Sequence, residues 1–283
     1  MLLNLIIILF IIFVLYLLAI MPKIFNKSNF SDFRNRYYAH RGLYNNKESN
    51  PENSMAAFKL AVENDYGIEL DVQLTKDKIP VVFHDDNLKR VCGLNKKVKD
   101  CTFDELQKLT LFDSKEKIPH FQEVLDLVHG KVPLIVELKS NDFDTTVCNI
   151  VDRHLSKYEG IYCIESFNPI MVLWYRSNRP NIIRGQLSTN FLGKGKKKNK
   201  TIGIKIVNFI LQNLLLNFIT KPDFIAFEHR YADMLSFKLC RDLYNTETIA
   251  YTIKSQEELL KAKNKFNLFI FDNFIPEGEA SKY

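Results

Sequence analysis

GIELDVQLTKDKIPVVFHD, residues 67–85, is the stretch that decides how this chain folds. It holds two strand-like runs, 68–74 and 79–84, joined at Thr75-Lys76-Asp77-Lys78. Side chains alternate between the two faces of a strand, so Glu69 and Asp71 share one face and Ile68, Leu70 and Val72 the other. A hairpin centred between Asp77 and Lys78 pairs position i with 155 − i, which sets His84 directly across from Asp71. The hairpin then returns His84 to the end of the strand that carries both carboxylates.

Outward from this stretch, short β-branched or aromatic runs alternate with amphipathic ones. Further candidate strands lie at 37–40, 132–137, 160–165, 182–187, 223–227, 247–252 and 268–272, which with 67–72 makes eight. Helical patterns at 53–64, 143–157, 169–177, 231–244 and 255–265 lie between them. Eight strands with helical crossovers suggest a (β/α)₈ barrel, with a doubly wound sheet as the competing fold. Polar groups recur at the ends of the strands: His40 and Arg41, Glu69 and Asp71, His84 and Asp85, Glu137 and Lys139, Glu165 and Ser166. That is the end at which barrels build active sites. Carboxylates aimed at one point repel unless a positive charge lies between them, and a hard divalent cation with oxygen ligands meets that need at Glu69, Asp71 and Glu137. His40 and His84 suit proton transfer near neutral pH, and Arg41 and Lys139 suit a phosphate.

The composition agrees with a folded domain. The chain has 283 residues, 46% hydrophobic and 25% charged, which excludes wholesale disorder. A net charge of +6 is too slight for a dedicated nucleic-acid binder. Five cysteines (Cys92, Cys101, Cys148, Cys163 and Cys240) form an odd set with no C-x-x-C, arguing against a disulfide framework and a thiolate zinc site.

Residues 1–21, MLLNLIIILFIIFVLYLLAIM, carry one polar side chain, Asn4, and no charged one. That length of apolar helix spans a bilayer. The start is not basic and no small-residue cleavage site follows, so residues 1–22 are expected to be a retained anchor rather than a secretory leader. Lys23, Lys27, Arg34 and Arg36 follow the span, which predicts a single-pass membrane protein with a cytoplasmic catalytic domain. Residues 23–35 read as a polar linker and 36–283 as the barrel domain.

Six runs together closely resemble the glycerophosphodiester phosphodiesterase family. They are Ala39-His40-Arg41-Gly42, Pro51-Glu52-Asn53-Ser54, Glu69-Leu70-Asp71-Val72, Val82-Phe83-His84-Asp85, Glu137-Leu138-Lys139 and Ser166-Phe167-Asn168, in the family's order. The resemblance implies a (β/α)₈ barrel of the phospholipase C-like phosphodiesterase type and dependence on a divalent cation, Ca²⁺ or Mg²⁺. It also implies cleavage of small glycerophosphodiesters to sn-glycerol 3-phosphate and an alcohol. On this resemblance His40 and His84 match the acid/base pair, Arg41 and Lys139 the phosphate-facing residues, and Glu69, Asp71 and Glu137 the metal ligands. Glu52 matches a carboxylate that supports the metal site. Asp85 and Ser166 fall in the matching runs as supporting residues. Tyr251 stands where the family usually has Trp and would line the glycerol pocket, which bears on substrate preference. Lysophospholipase D or phospholipase C-like action on membrane lipids is the alternative activity. A non-catalytic binding barrel is a poorer one, since both histidines and all three carboxylates are present.

One segment stands apart from these motifs. Residues 194–200, KGKKKNK, precede an apolar stretch, 202–219, whose polar side chains fall within about half the helix circumference. The simpler reading is an outer barrel helix with Ile210, Leu211, Leu214 and Phe218 buried beneath a solvated basic loop. The other is an interfacial helix resting on lipid, with the lysines on anionic headgroups.

Overall fold

Eight parallel strands close on themselves. They are β1 (Tyr38–His40), β2 (Gly67–Leu74), β4 (Leu134–Leu138), β5 (Tyr162–Ser166), β6 (Arg184–Ser188), β7 (Phe224–Glu228), β8 (Glu247–Ile253) and β9 (Leu268–Phe271). β1 pairs with both β2 and β9, which completes the ring. β3 (Pro80–Val82) runs antiparallel to the end of β2. The structure, a computed structural model, describes residues 1–140, 142–193, 201–278 and 280. The basic run 194–200 lies outside the described residues.

The helices in chain order are α1 (Leu2–Ile20), α2 (Met55–Glu63), α3 (Lys89–Cys92), α4 (Phe103–Leu106), α5 (Phe121–Val128), α6 (Thr146–Leu155), α7 (Pro169–Asn178), α8 (Ile202–Gln212), α9 (Asn217–Thr220), α10 (Leu235–Asp242) and α11 (Gln256–Ala262). Sequence sets their starts. Ser54 Oγ accepts from Ala57 N at the head of α2. Asn168 caps α7 and Pro169 stands at its first position, where no donor is needed. The main core lies between strands and helices, with Ile68, Leu70, Leu134, Val136 and Phe227 all buried.

Strand alternation builds the barrel's inside in layers. Tyr38, Ile135 and Cys163 pack in a lower apolar cluster. Two residues on, the same face carries His40, Glu137 and Glu165. The floor of this interior is closed by the segment expected to be a linker. Within residues 23–35, Phe30 and Phe33 are each only 3% exposed and join the lower cluster. Phe30 meets Phe224 edge-on at 5.9 Å, and Tyr38 OH donates to the Phe33 carbonyl at 2.7 Å. Lys23 pairs with Asp223 at 2.7 Å, and Lys27 Nζ donates to the carbonyls of Tyr244 and Asn245. The polar composition of this segment conceals two aromatic plugs.

Two other expectations change. In the hairpin Val72 faces Val82 and Gln73 faces Val81, so i pairs with 154 − i, and the second strand ends at Val82. Phe83, not His84, lies beside Asp71, with Phe83 N donating to the Asp71 carbonyl at 2.9 Å. A one-residue slip exchanges the faces. Phe83 turns into a separate apolar cluster with Val81, Leu88, Val91 and Leu106, and His84 is left at the rim. This cluster organises a small lobe between β3 and β4. The second change concerns α8, which has no buried residue, so it is not an outer barrel helix packed on strands. Of the four positions named for that packing, Leu214 is buried, Ile210 and Leu211 are half-buried, and Phe218 is exposed.

Candidate active site

The register across neighbouring strands determines the site. Asp71 faces Glu137 across β2 and β4, and Glu137 faces Glu165 across β4 and β5. His40 faces Glu69 across β1 and β2. Carboxylates side by side on adjacent strands are unfavourable without compensation, and Glu69, Asp71, Glu137 and Glu165 are all buried.

Oxygens of Glu69, Asp71 and Glu137 lie within 4.8 Å of one another. Asp71 Oδ1 and Glu165 Oε2 are buried without a hydrogen-bond partner. Burial, reinforced by the neighbouring carboxylates, holds Glu69 and Glu165 well above the ordinary carboxylate range. Glu137 is also raised, by burial first, although Lys139 opposes the shift. Burial would raise Asp71 too, but Lys139, His84 and Arg41 outweigh it and its pKa is lowered. Asn53 Nδ2 fixes the other oxygen, donating to Asp71 Oδ2 at 3.0 Å. Arg41 and Lys139 are the cations that reach these four carboxylates, and a divalent cation would let the raised carboxyls ionise together. All-oxygen donors suit Ca²⁺ or Mg²⁺, so the residues present fit a hard cation.

Lys139 Nζ lies 2.9 Å from Glu137 Oε1 and 3.4 Å from Asp71 Oδ1. Burial would lower its pKa, but these two carboxylates raise it above the ordinary lysine value, so it stays cationic. Arg41 follows β1 at φ +59°, and its backbone N–H donates to the Glu69 carbonyl at 2.8 Å. Its guanidinium reaches Glu52 at 2.6 Å and Asp71 at 3.4 Å. Gly42 lets α2 come this close: a Cβ there would stand 2.9 Å from Ala57, and the backbone is at φ +82°.

Glu52 is not part of the carboxylate cluster. Its oxygens accept from Arg41, Arg90 and Asn46. Burial would raise its pKa, but Arg90 and Arg41 prevail and bring it down to about 2. Glu52 therefore orients the two arginines.

The histidines stand on opposite sides. His40 Nδ1 is 3.0 Å from Asp272 Oδ2, and its Nε2 is 3.9 Å from Glu69 Oε2. Burial first, then Arg41, lowers the His40 pKa and favours the neutral ring. His84 Nδ1 is 2.7 Å from Asp85 Oδ1, and Arg90 holds both Asp85 oxygens. A carboxylate on Nδ1 selects the tautomer with the proton there and leaves Nε2 as the base. A cleft of about 830 Å³ opens at His84, Asp85, Asp86, Arg90 and Lys139.

Ser166 and Tyr251 are at the site but otherwise engaged. Ser166 Oγ donates to the Leu138 carbonyl at 2.7 Å, and Tyr251 OH donates to the Ser188 carbonyl at 2.7 Å. The Tyr251 ring meets Phe167 edge-on at 6.1 Å. Asn53, Arg90, Glu165 and Asp272 are not among the expected site residues. Glu165 is visible in the sequence as a strand-end carboxylate. Asn53 lies in the Pro51-Glu52-Asn53-Ser54 run, while Arg90 and Asp272 reach Glu52 and His40 from 38 and 232 positions away, with no motif to mark them.

A model of the glycerophosphoryl diester phosphodiesterase family matches residues 40–257. A glycerophosphodiester phosphodiesterase of Caldanaerobacter subterraneus is 44% identical over 110 residues, which is 36% of this chain and 44% of that protein. A lysophospholipase D of Homo sapiens is 31% identical over 209 residues, covering 69% of this chain and 58% of that protein. The chain thus spans about half the length of these curated relatives. The solved structure of an Oleispira antarctica phosphodiesterase in complex with the product sn-glycerol-3-phosphate shares the fold, with a TM-score of 0.67 at 20% identity over 85% of this chain and 94% of that one. With the family match running from His40 through α10 and β8 into α11, the chain belongs to the glycerophosphoryl diester phosphodiesterase family.

Proposed function

We propose that this chain hydrolyses glycerophosphodiesters to sn-glycerol 3-phosphate and an alcohol with the aid of a divalent cation. The observation that carries the reading is the register-matched row of buried carboxylates flanked by two histidines, each with a carboxylate on Nδ1. Glu69, Asp71 and Glu137 would hold the cation, with Glu165 beside them. When bound, such a cation polarises a non-bridging phosphoryl oxygen and neutralises developing charge. Arg41 and Lys139 orient the phosphate from the same interior face. One histidine takes a proton from the attacking hydroxyl or water, and the other gives one to the leaving alcohol oxygen.

The test is a chelated, metal-free preparation assayed on a panel of glycerophosphodiesters with Ca²⁺ or Mg²⁺ restored singly. We expect activity to return with at least one cation and calorimetry to record proton release on binding, because raised carboxylates must ionise to ligate. Full turnover in the chelated state would defeat the metal-dependent reading. His40→Ala and His84→Ala should each lower kcat by about 10²-fold or more. Wild-type kcat in either variant would remove that residue from the proton path.

We further infer that α1 anchors the chain with the barrel in the cytoplasm. The Ile20 carbonyl accepts from Asn217 Nδ2 at 3.0 Å, and the Leu17 carbonyl from Tyr244 OH at 2.8 Å, so the end of α1 is tied to the folded domain, as suits a retained helix. Among the five cysteines all but Cys92 are buried, so a cysteine introduced on the exposed Lys261 side chain is the better reporter for an impermeant thiol reagent. Labelling in intact cells would place the barrel outside.

A further inference from the structure

We propose that the bilayer seats on the catalytic rim itself: α8 and the rim residues beside it enter the lipid interface, so the barrel mouth takes glycerophosphodiesters that still carry an acyl chain in the membrane. This rests on the reading of the mouth as the site of phosphodiester cleavage.

The direction of α1 supplies the first argument. α10 follows β7 and runs back from the mouth toward the base. Tyr16 faces Ser236, in the first turn of α10, while the Ile20 carbonyl accepts from Cys240 Sγ, one turn lower. α1 therefore descends alongside α10. Its earlier residues, Leu2 to Leu15, continue past the head of α10, beyond the strand ends that carry the carboxylates, and are exposed throughout.

Length supplies the second. Nineteen residues at mean hydropathy 3.1 make a helix of about 28 Å, close to the roughly 30 Å hydrocarbon core. Its last turn is packed against the barrel, so only about 20 Å projects. Placing the whole helix in the core sinks the adjoining rim about one helical turn into the interface.

The residues at that level supply the third. Ser236 Oγ donates to the Gln212 carbonyl, and Ser188 Oγ to the Leu211 carbonyl, so the end of α8 meets α10 and the top of β6 beside α1. From there α8 stands away from the body, with Ile202, Ile204, Ile206, Val207 and Phe209 each about half or more exposed. Leu235 (62% exposed) and Leu192 (42%) continue the apolar surface on the rim. Lys205, Asn208 and Gln212 keep part of α8 polar, as an interfacial helix requires and a buried span does not. An apolar surface continuous with a membrane-length helix is matched by lipid.

Two measurements on the full-length protein in phosphatidylcholine/phosphatidylglycerol vesicles test this. On a Trp174→Phe background, Ile206→Trp and Phe209→Trp are read by quenching with lipids brominated along the acyl chain, and Leu260→Trp on α11 is the reference. We expect quenching at both α8 positions and none at Leu260. Unquenched α8 probes overturn the proposal, including the case in which α8 packs on a second copy of the chain. This readout stands whether or not the enzyme is active, so it separates failure of the membrane face from failure of the proposed reaction. The second measurement compares turnover of soluble glycerophosphocholine and of lysophosphatidylcholine in vesicles. The double variant Ile206→Ser/Phe209→Ser should lose about tenfold on the lipid and nothing on the soluble substrate. An equal effect on both, or on neither, overturns the link between the seated rim and lipid substrate.

Discussion

At the residue scale, three side chains beside Glu69, Asp71 and Glu137 shape the electrostatics of the site, and each makes a prediction. Asp272 raises the His40 pKa against burial and Arg41, and Tyr44 shares the same carboxylate oxygen. Asp272→Asn should lower kcat about tenfold or more and move the acid limb of the kcat/KM profile to lower pH, because the ring loses the charge that favoured its protonated form. An unmoved limb would show that Asp272 does not act through His40. Glu165 is a buried carboxyl with an unpartnered oxygen. Glu165→Gln should weaken cation affinity about 10-fold or more in calorimetry, while the metal-free protein melts no lower, since a like-charged neighbour has gone. Glu52 has a depressed pKa of about 2 in the fold, against an ordinary value of 4.5. Its stabilising contribution is thus complete above pH 4.5 and is lost as pH falls through about 2, and is worth about 3 kcal/mol at neutral pH. Denaturation of wild type and Glu52→Gln should differ at pH 7 and converge by about pH 2. A gap that persists in acid would place the effect in packing instead of charge.

At the element scale, period-two patterning made the barrel readable, because each strand carries its burial pattern locally. Glu69 with Asp71 and Glu137 with Lys139 could be placed on shared faces from spacing alone. What spacing could not supply was the register between the hairpin strands. Pro80 opens the second strand and Phe83 has its own apolar cluster to join, and together they pull the pairing one position away from the symmetric centre. The lobe between β3 and β4 was likewise illegible, since its helices are four residues each, too short for a periodic signal. Arg90, on α3, is one of the lobe's ties to the barrel: it bonds Glu52 on one side and Asp85 on the other. Arg90→Met keeps an unbranched apolar stem but removes both ion pairs and the guanidinium's contact over Phe112. It should reduce turnover about tenfold, by releasing Asp85 and with it His84, with the barrel's melting temperature little changed. A drop in melting temperature without a change in turnover would make Arg90 a structural brace only.

At the scale of the whole molecule, the chain reaches the barrel through two different joints, and stability should distinguish them. Among the described residues α1 packs on the barrel through Tyr16 to Ile20, whereas Phe30 and Phe33 fill the base of the barrel itself. Burial of Phe30 and Phe33 is not legible in the sequence, because Asn, Lys and Ser dominate residues 23–35 and three phenylalanines in a polar stretch, one of them the exposed Phe25, look like ordinary surface composition. In the fold Phe30 and Phe33 are the floor on which the interior layers rest, with Tyr38, Phe224 and Ile135 directly above and the carboxylates one layer higher. Removing residues 1–15, which are exposed throughout, should therefore leave the melting temperature within a few degrees of the full chain. Phe33→Ala should cost about 3–5 kcal/mol, because a closed apolar floor collapses poorly around a lost ring. The loss should also reach the site: with the floor loosened, the strand register that holds Asp71, Glu137 and Glu165 side by side is less rigid, and cation affinity falls along with stability. A Phe33→Ala variant that unfolds no more readily than the truncated parent would show that the segment merely lies against the barrel, and would return it to the role of a linker.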